Sequence, residues 1–409
     1  MESVSRKLSS ENLPGMLLVL FCAILPWSLA GMQIAAGLVV ISSIVYHIRR
    51  KIFPITYHPF YIFLVIYLFS QLIAAFASPD YRISLPSFLD TDWFIFLFPF
   101  LISLPVNKKW RIIALRTLFA SSALVAIYGI IQFFIGVDIF HGKVLNPMGH
   151  FYRAEGTYNF YLTFAGNQTM ILSLVLSFFL MESTWKPVKY FYLAVLTLIF
   201  LSIIATFGRS TWIATVIIIL LGSWLINRRL FGMLTAGFLL FGFVVSFLSP
   251  EVYERLLSIF NPSHPNNIGR WNLWRTAWAM FKDHPLLGIG PGFFNDLFPI
   301  YKVPGFYDAA GHAHNDYLNF AANSGIIGLT SWLTMWVAWF YYTITEIRKK
   351  TLAKSDIQIL LGSILAITAI LIASFFQCYY TDLENNILWW TLAAFAFMVI
   401  QQNKVQVRD

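Results

Sequence analysis

The sequence predicts an all-α integral membrane protein with about twelve transmembrane helices. Of its 409 residues, 58% are apolar and only 11% are charged, and the mean hydropathy is +0.69. In soluble domains about a quarter of all residues are charged, so this composition indicates a chain that is solvated by lipid. The apolar residues also fall into runs of roughly 20, the length that spans a bilayer as a helix.

Twelve apolar segments follow one another, and turn residues or basic clusters separate most of them. Backbone groups in a bilayer need partners within their own segment, so we expect helices and no sheet. We predict nine spans in residues 1–248, a helical loop in 249–314 and three spans in 315–409. The predicted segments are 14–29, 31–47, 59–77, 87–104, 112–136, 160–181, 188–207, 210–226, 230–248, 315–345, 357–378 and 386–401.

The positive charges predict the orientation, because cytoplasmic loops of membrane proteins carry an excess of Lys and Arg. With both termini in the cytoplasm, 19 of the 28 Lys and Arg residues lie inside. Arg6 and Lys7 before the first apolar run imitate a cleavable signal peptide. Cleavage there would leave the second span without its partner, so we expect the first span to stay.

This charge distribution also excludes a nucleic-acid partner. The net charge of +9 is concentrated on the cytoplasmic side, where it fixes the orientation.

Cys22 and Cys378 both lie in apolar segments, which excludes a disulfide framework. The glycine-rich stretch 288–292 follows no predicted strand, so we do not read it as a nucleotide-binding motif. We expect no cofactor.

The long outer loop, 249–314, has helical patterns of its own. Residues 251–260 and 268–283 are typical of amphipathic helices that lie along a membrane surface. A loop of this length without structure is uncommon, so we expect it to form a functional cap. Trp271 and Trp278 fit ordinary interfacial anchors.

The stretch 311–316 (GHAHND) carries the strongest chemical signal, where the loop enters the tenth span. His312 and His314 are candidate general bases, because imidazole accepts a proton near neutral pH. If the stretch is helical, residues two apart point in different directions, and only one can face a substrate. Asparagines recur every fourth residue from Asn315, a polar stripe that should face the bundle interior. The alternative is that the histidines cap the helix or bind a metal.

Arg209 lies in a tight outer turn between two spans, within Gly208-Arg209-Ser210-Thr211. Ser210 or Thr211 is expected to cap the next helix, whose first N–H groups carry partial positive charge. An arginine beside a helix N-terminus is a natural phosphate site. The alternative is an interfacial anchor that extends to water.

Other outer charges are weaker candidates. Arg270 and Arg275 share a loop helix but differ by about 140° in direction, so at most one points inward. A solvated face explains both equally well. Arg153 is a further outer candidate. Asp90 and Asp92 imitate a metal-binding pair, but the chemistry of a helix start explains them more simply.

Taken together, the motifs resemble those of a known family. His314-Asn315, nine residues and then Gly325-x-x-Gly328 resemble the signature of the O-antigen ligases, within the O-antigen ligase and polymerase superfamily. The turn 208–210, the Arg270-x-x-x-Trp274-x-x-x-Trp278 helix and the stretch 284–290 (HPLLGIG) are also similar to that family. The resemblance covers about residues 150–345 in detail and the twelve-span layout in outline.

The resemblance implies a metal-independent, GT-C-like glycosyltransferase of the bacterial inner membrane with a periplasmic active site. Such ligases move a polysaccharide from undecaprenyl pyrophosphate to a sugar of lipid A–core, and membrane lipids surround both substrates. His314 matches the general base, and Arg209 and Arg270 match arginines that engage the pyrophosphate. The expected site is therefore catalytic His314, Arg209 and Arg270, with Arg153, Arg275, His312 and Asn315 in substrate binding.

Three alternatives stay open. An O-antigen polymerase has the same donor but another lipid-linked chain as its acceptor. A protein O-oligosaccharyltransferase has a Ser or Thr acceptor. A small-anion transporter is disfavoured, because the chain has no evident inverted repeat and few ionisable residues deep in its spans.

Overall fold

The computed structural model of the protein describes residues 2–307, 311–349 and 352–406 and is 74% helical. Its first half contains α1 Glu2–Ile24, α2 Leu29–Arg49, α3 Phe60–Phe76, α4 Tyr81–Asp92, a 3-10 turn Trp93–Leu97, α5 Phe98–Ile102, α6 Lys108–Ile135, α7 Tyr161–Met181 and α8 Pro187–Ala205. The second half contains α9 Arg209–Ile226, α10 Arg228–Leu248, α11 Pro250–Leu257, α12 Pro265–Asp283, α13 Phe294–Tyr301, α14 Asp316–Ile347, α15 Lys354–Ala373 and α16 Leu383–Gln406.

The chain is a multi-pass membrane protein. Among the described residues, eight helices are long and apolar enough to cross a membrane, and Asn12–Ile24 and Phe60–Phe76 are shorter apolar helices. Each of the twelve predicted segments overlaps a helix; the fourth segment overlaps α4, the 3-10 turn and α5 together. The all-α class is confirmed, whereas the count of twelve spans stays a prediction.

The expectation of no sheet is wrong for the segment between α6 and α7. Two antiparallel pairs of two-residue strands form there: β1 (Val137–Asp138) with β2 (Lys143–Val144), and β3 (Pro147–Met148) with β4 (Phe151–Tyr152). The argument against a sheet applies to backbone within lipid. This segment connects two spans and does not lie within one, so short hairpins can pair its backbone there.

Helices α7 and α16 form the centre of the bundle. In their most apolar windows, 83% of α7 and 89% of α16 are buried, against 33% of α8 at the periphery. Between α14 and α16, indole rings fill the core: Trp336 lies 5.2 Å from Trp389 and 5.1 Å from Trp390. Such aromatic packing gives α14 a fixed position in the bundle.

Helix α14 is broken at Gly325, and the stretch 284–290 inserts at the break. Gly325 has φ +62° and ψ −166°, and a Cβ there would lie 2.3 Å from the backbone of Leu286. The N–H groups of Ile289 and Ile326 bond across the seam, to Ala322 and Pro285 respectively. The two glycine motifs are therefore two sides of one close backbone contact.

The long loop is helical, as its patterns predict. Residues 251–260 and 268–283 correspond to α11 and α12, whereas α13 was not predicted. Helix α12 packs against α14 in a small cluster that contains Leu273, Ala277 and Ala322. This packing places the first turns of α12 beside the start of α14. The division into three regions is not tested by these contacts and stays a prediction.

Candidate active site

A cleft of about 230 Å³ lies between the start of α7, the first turns of α12 and the segment that precedes α14. Arg153, Arg270 and His314, three of the predicted site residues, line it. The fold therefore brings together side chains that are far apart in the sequence. The other lining residues are Asn146, Phe160, Tyr161, Leu162, Asn266, Gly269 and Leu273.

Arg153 follows β4 and is held by neutral groups. Its guanidinium carbon lies 4.1 Å from the ring centre of Tyr161, and Nη2 contacts the sulfur of Met148 at 3.4 Å. Its Nε is buried without a hydrogen-bond partner, and no carboxylate in the described chain forms an ion pair with it. The positive charge of Arg153 is thus fixed in place but not neutralised.

Arg209 is the first residue of α9 and is only 5% exposed. Its Nη1 donates to the backbone oxygen of Ser258 at 2.9 Å, while Nη2 is buried with no hydrogen-bond partner among the described residues. The charges of Arg255, Arg270 and Arg153 all repel that of Arg209. A buried donor without an acceptor is costly, so an anion accepting from Nη2 would be stabilised. Arg209 stands beside the cleft and does not line it.

The predicted cap of α9 is wrong. Gly208 is the N-cap and makes no side-chain cap. Thr211 donates its hydroxyl to the Gly208 oxygen at 2.8 Å, and the Ser210 hydroxyl lies 3.0 Å from that of Tyr379. The reason is register: Arg209 is already helical, so both hydroxyl residues lie too late in the chain to cap the helix.

Arg255 on α11 is a functional candidate that the sequence argument missed. It is 9% exposed, and its Nε donates to the Phe207 oxygen at 3.1 Å. Phe207 itself has left-handed backbone, with φ +52°.

His264 caps α12 by accepting from the Asn266 N–H. Burial, followed by the charges of Arg209 and Arg255, lowers the pKa of His264. The positive end of the α12 dipole therefore lies beside these arginines.

The two arginines of α12 separate as their spacing predicts. Arg270 lines the cleft, whereas Arg275 is exposed and outside the lining. Between them, Trp274 faces inward, with its ring 6.3 Å from that of Phe376. Arg270 therefore lies where a ligand in the cleft could contact it, whereas Arg275 lies on the exposed face of α12.

The two histidines lie in non-helical backbone. Helix α14 begins at Asp316, and His314 has φ +49°. The condition under which only one histidine could face the site therefore does not hold, and the rings of His312 and His314 lie 4.3 Å apart. Only His314 lines the cleft. Burial, followed by the charge of His314, lowers the pKa of His312 to about 3, which keeps that ring neutral.

A second missed residue is Gln377, in the loop between α15 and α16. The Nδ1–H of His314 donates to the Gln377 Oε1. The loop is anchored by the fully buried Asp316, whose carboxylate accepts the N–H groups of Tyr379 at 3.0 Å and Tyr380 at 3.1 Å. Gln377 lies in no motif or periodic pattern, so no signal in the sequence points to it.

Asn315 is occupied by structural contacts. Its Oδ1 accepts from the Leu318 N–H at 3.0 Å, which caps α14, and its Nδ2 donates to the Phe375 oxygen at 3.0 Å. It does not line the cleft. Asp92 lies in a separate polar cavity, where the hydroxyls of Tyr67 and Tyr380 each donate to its carboxylate at 3.0 Å.

The arrangement combines two chemical capacities. Arg153, Arg209, Arg255 and Arg270 concentrate positive charge at one side of the cleft, together with the N-terminus of α12. Such a cluster binds a multiply charged anion. His314 also lines the cleft, and its Nδ1 faces the Gln377 Oε1, an oxygen that can only accept a hydrogen bond.

Comparison with known proteins confirms the resemblance over part of the chain. Residues 193–333 match the family model described as O-antigen ligase, and this segment contains Arg209, Arg270 and His314. The chain is also 24% identical, over 178 residues, to the teichuronic acid biosynthesis protein TuaE of Bacillus subtilis (strain 168). That similarity covers 43% of this chain and 35% of the length of the relative.

Proposed function

We propose that the protein is a membrane glycosyltransferase that moves a glycan from undecaprenyl pyrophosphate to a sugar hydroxyl of lipid A–core. The observation that carries this proposal is the guanidinium group of Arg209, which is buried beside three other arginines with its Nη2 lacking a partner in the described chain. Four arginines close together in a membrane protein are stabilised by an anion of high charge, because it offsets their mutual repulsion. A pyrophosphate is such an anion.

The arginines would act mainly on the leaving group. As the bond between the sugar C1 and the phosphate oxygen breaks, negative charge develops on the departing lipid pyrophosphate. Arg209 and Arg270 would stabilise that charge, with Arg153 and Arg255 beside them. Preorganised donors of this kind are usually the largest contribution to such catalysis, and removing one costs about 10²–10³-fold in rate.

An apolar groove beside the arginines supports a lipid-linked donor. It has a volume of about 350 Å³ and lies between α8, α9, α10 and α11. Trp212 lines it just after Arg209 in the chain, and Val252 and Leu256 line it from the same helix as Arg255. A ligand with a charged head at the arginines and an apolar chain in this groove fits both surfaces. A polyprenyl pyrophosphate has this form.

His314 would act as the general base. Its Nε2 takes the proton as the acceptor O–H bond breaks, the acceptor oxygen bonds to C1, and the lipid pyrophosphate leaves from the opposite face. The anomeric centre is inverted and no metal takes part in this scheme. General base catalysis contributes about 10²–10⁴-fold.

We further propose that the cleft faces the periplasm and that the protein lies in the bacterial inner membrane with cytoplasmic termini. The asymmetry of Lys and Arg supports this orientation. Thiol labelling tests it on Lys302→Cys and Arg229→Cys, both at exposed positions, because the native Cys22 and Cys378 are buried. A membrane-impermeant reagent should label position 302 and spare position 229 in spheroplasts; the reverse pattern refutes the orientation.

A polymerase that uses the same donor is the second candidate. The relative named above is named for teichuronic acid biosynthesis and not for an O-antigen, which favours keeping this alternative. A protein acceptor and a transporter have no such observation in their favour.

The deciding experiment supplies purified protein with an undecaprenyl-pyrophosphate-linked glycan and lipid A–core. Glycan on the core supports the ligase, and a lengthened donor chain supports the polymerase. If neither product forms, both proposals are contradicted. Activity should persist in the presence of a chelator; its loss would show that the metal-independent scheme is wrong.

A further inference from the structure

We propose that Gln377 is a positioning residue that sets the tautomer of His314, by accepting its Nδ1 proton and so placing the basic lone pair on Nε2. This inference rests on the proposed function for its catalytic meaning. The geometry itself, a glutamine oxygen against the inner nitrogen of a cleft histidine, is independent of the substrate.

The loop that carries Gln377 is tied to the two residues that directly follow the histidine, Asn315 and Asp316. Asn315 donates to the Phe375 oxygen at 3.0 Å, and the Asp316 N–H donates to the Ser374 oxygen at 2.9 Å. The Asp316 carboxylate accepts the two N–H groups that follow Cys378. Gln377 is 5% exposed between these ties, so its amide has little freedom to turn away from the ring.

The orientation of the imidazole is fixed from its backbone as well. The His314 N–H donates to His312 Nδ1 at 3.2 Å, which supports the left-handed backbone at His314. A carbonyl oxygen only accepts, so a ring held against the Gln377 Oε1 must carry its proton on Nδ1. The Gln377 contact therefore favours one tautomer of the ring, and a general base needs its tautomer fixed.

An amide suits this place better than a carboxylate because of the charges that face it. Arg153 and Arg270 line the same cleft, and His312 lies against the His314 ring. The first carboxylate that follows His314 in the chain is that of Asp316. A carboxylate at position 377 would raise the pKa of His314 and compete with a pyrophosphate for the arginines. Glutamine orients the ring without adding charge.

The activity test compares Gln377→Leu with Gln377→Glu, using the lipid-linked glycan and lipid A–core as substrates. The leucine variant should lose kcat by about tenfold or more with little change in the acceptor KM, because a histidine base without its orienting partner is left in the wrong tautomer. The glutamate variant keeps an acceptor, so it should recover part of kcat and move the acidic limb of the pH–rate profile up by about one unit.

Gln71→Leu is the matched control, since Gln71 is buried on α3 and accepts from Ser324 away from the cleft. It should leave kcat and the pH profile unchanged. Wild-type kcat and profile in both Gln377 variants would overturn the inference. A pH profile that stays fixed in Gln377→Glu, with equal losses in all three variants, would reduce Gln377 to a structural role.

A spectroscopic test needs no substrate. In ¹⁵N-histidine-labelled protein in detergent, the resonance that disappears in His314→Ala belongs to His314. At pH 8 it should report the Nδ1–H tautomer in the wild type and a shift toward Nε2–H in Gln377→Leu. An Nε2–H tautomer in the wild type overturns the inference even if His314 proves essential. Full activity of His314→Ala instead refutes the proposed function and leaves the tautomer result standing.

Discussion

The Nη1 of Arg209 lies 2.9 Å from the backbone oxygen of Ser258, while Nη2 of the same group is buried without a hydrogen-bond partner in the described chain. Half of the guanidinium thus holds α11 beside the start of α9, and the other half is the part that we propose binds an anion. The proposal thus assigns a structural contact and a binding contact to different nitrogens of one side chain.

Arg209→Lys should therefore keep the fold and lose activity. A lysine can still donate to Ser258, but its one nitrogen cannot occupy the positions of both Nη1 and Nη2, which the planar guanidinium holds apart. We expect kcat to fall about 10²-fold, with a melting temperature close to that of the wild type. Arg82→Lys, at an exposed position outside the cleft, is the matched control. Near-wild-type turnover in Arg209→Lys contradicts the proposed pyrophosphate contact.

His314→Ala should abolish transfer while the protein stays folded and inserted. The loss should be about 10²–10⁴-fold, the contribution of a general base. Complementation of a deletion strain and turnover by purified protein both measure it. His150→Ala removes an imidazole whose side chain is 92% exposed and should act like the wild type. Near-normal transfer by His314→Ala would remove the residue from the mechanism.

Gly325→Ala should destabilise the protein through the seam between α14 and residues 284–290. At φ +62° and ψ −166° the backbone is open only to glycine, and a Cβ would lie 2.3 Å from Leu286. Strain of this kind costs about 1–3 kcal/mol before the clash is counted. Thermal unfolding in detergent measures it against Gly37→Ala, where the new Cβ meets no atom within 4 Å outside the adjacent backbone of its own helix. Equal melting temperatures would refute the seam.

The protein should lose stability in acid in part because of His312. Its pKa is lowered from 6.5 to about 3 in the folded state, so between these values the unfolded chain binds a proton that the folded chain does not. Stability therefore falls as the pH drops from about 6.5 toward 3. His312→Asn keeps an acceptor for the His314 N–H but does not titrate. Its melting temperature should fall less with pH than that of the wild type; parallel curves contradict the assignment.

Much of the fold follows from composition alone. Helices occur wherever an apolar run of spanning length occurs, because lipid offers the backbone no other partners. The short β-hairpins do not contradict this rule, since they lie in a connecting segment between two spans and not within a span. The helical loop and the opposite directions of Arg270 and Arg275 also follow from local periodicity.

The motifs led to the proposal of His314, Arg209 and Arg270, because that proposal depends on residue type and spacing. Arg255 and Gln377 were not predicted, because only their neighbours in the folded chain make them candidates. Arg255 contacts Phe207, and Gln377 contacts His314, each across a long stretch of chain. Asn315 looked like a substrate ligand in the sequence, but its polar atoms are engaged by Leu318 and Phe375.

The sequence by itself determined that the chain is a membrane protein, where its long apolar helices lie and which residue types are available for chemistry. Only the tertiary structure decided which arginines stand together, which histidine lines the cleft and which side chain faces the Nδ1 of His314. The physical reason is that hydrophobicity and periodicity are local properties of the chain. Hydrogen-bond partners and mutual repulsion depend on distances that only the packed helices set.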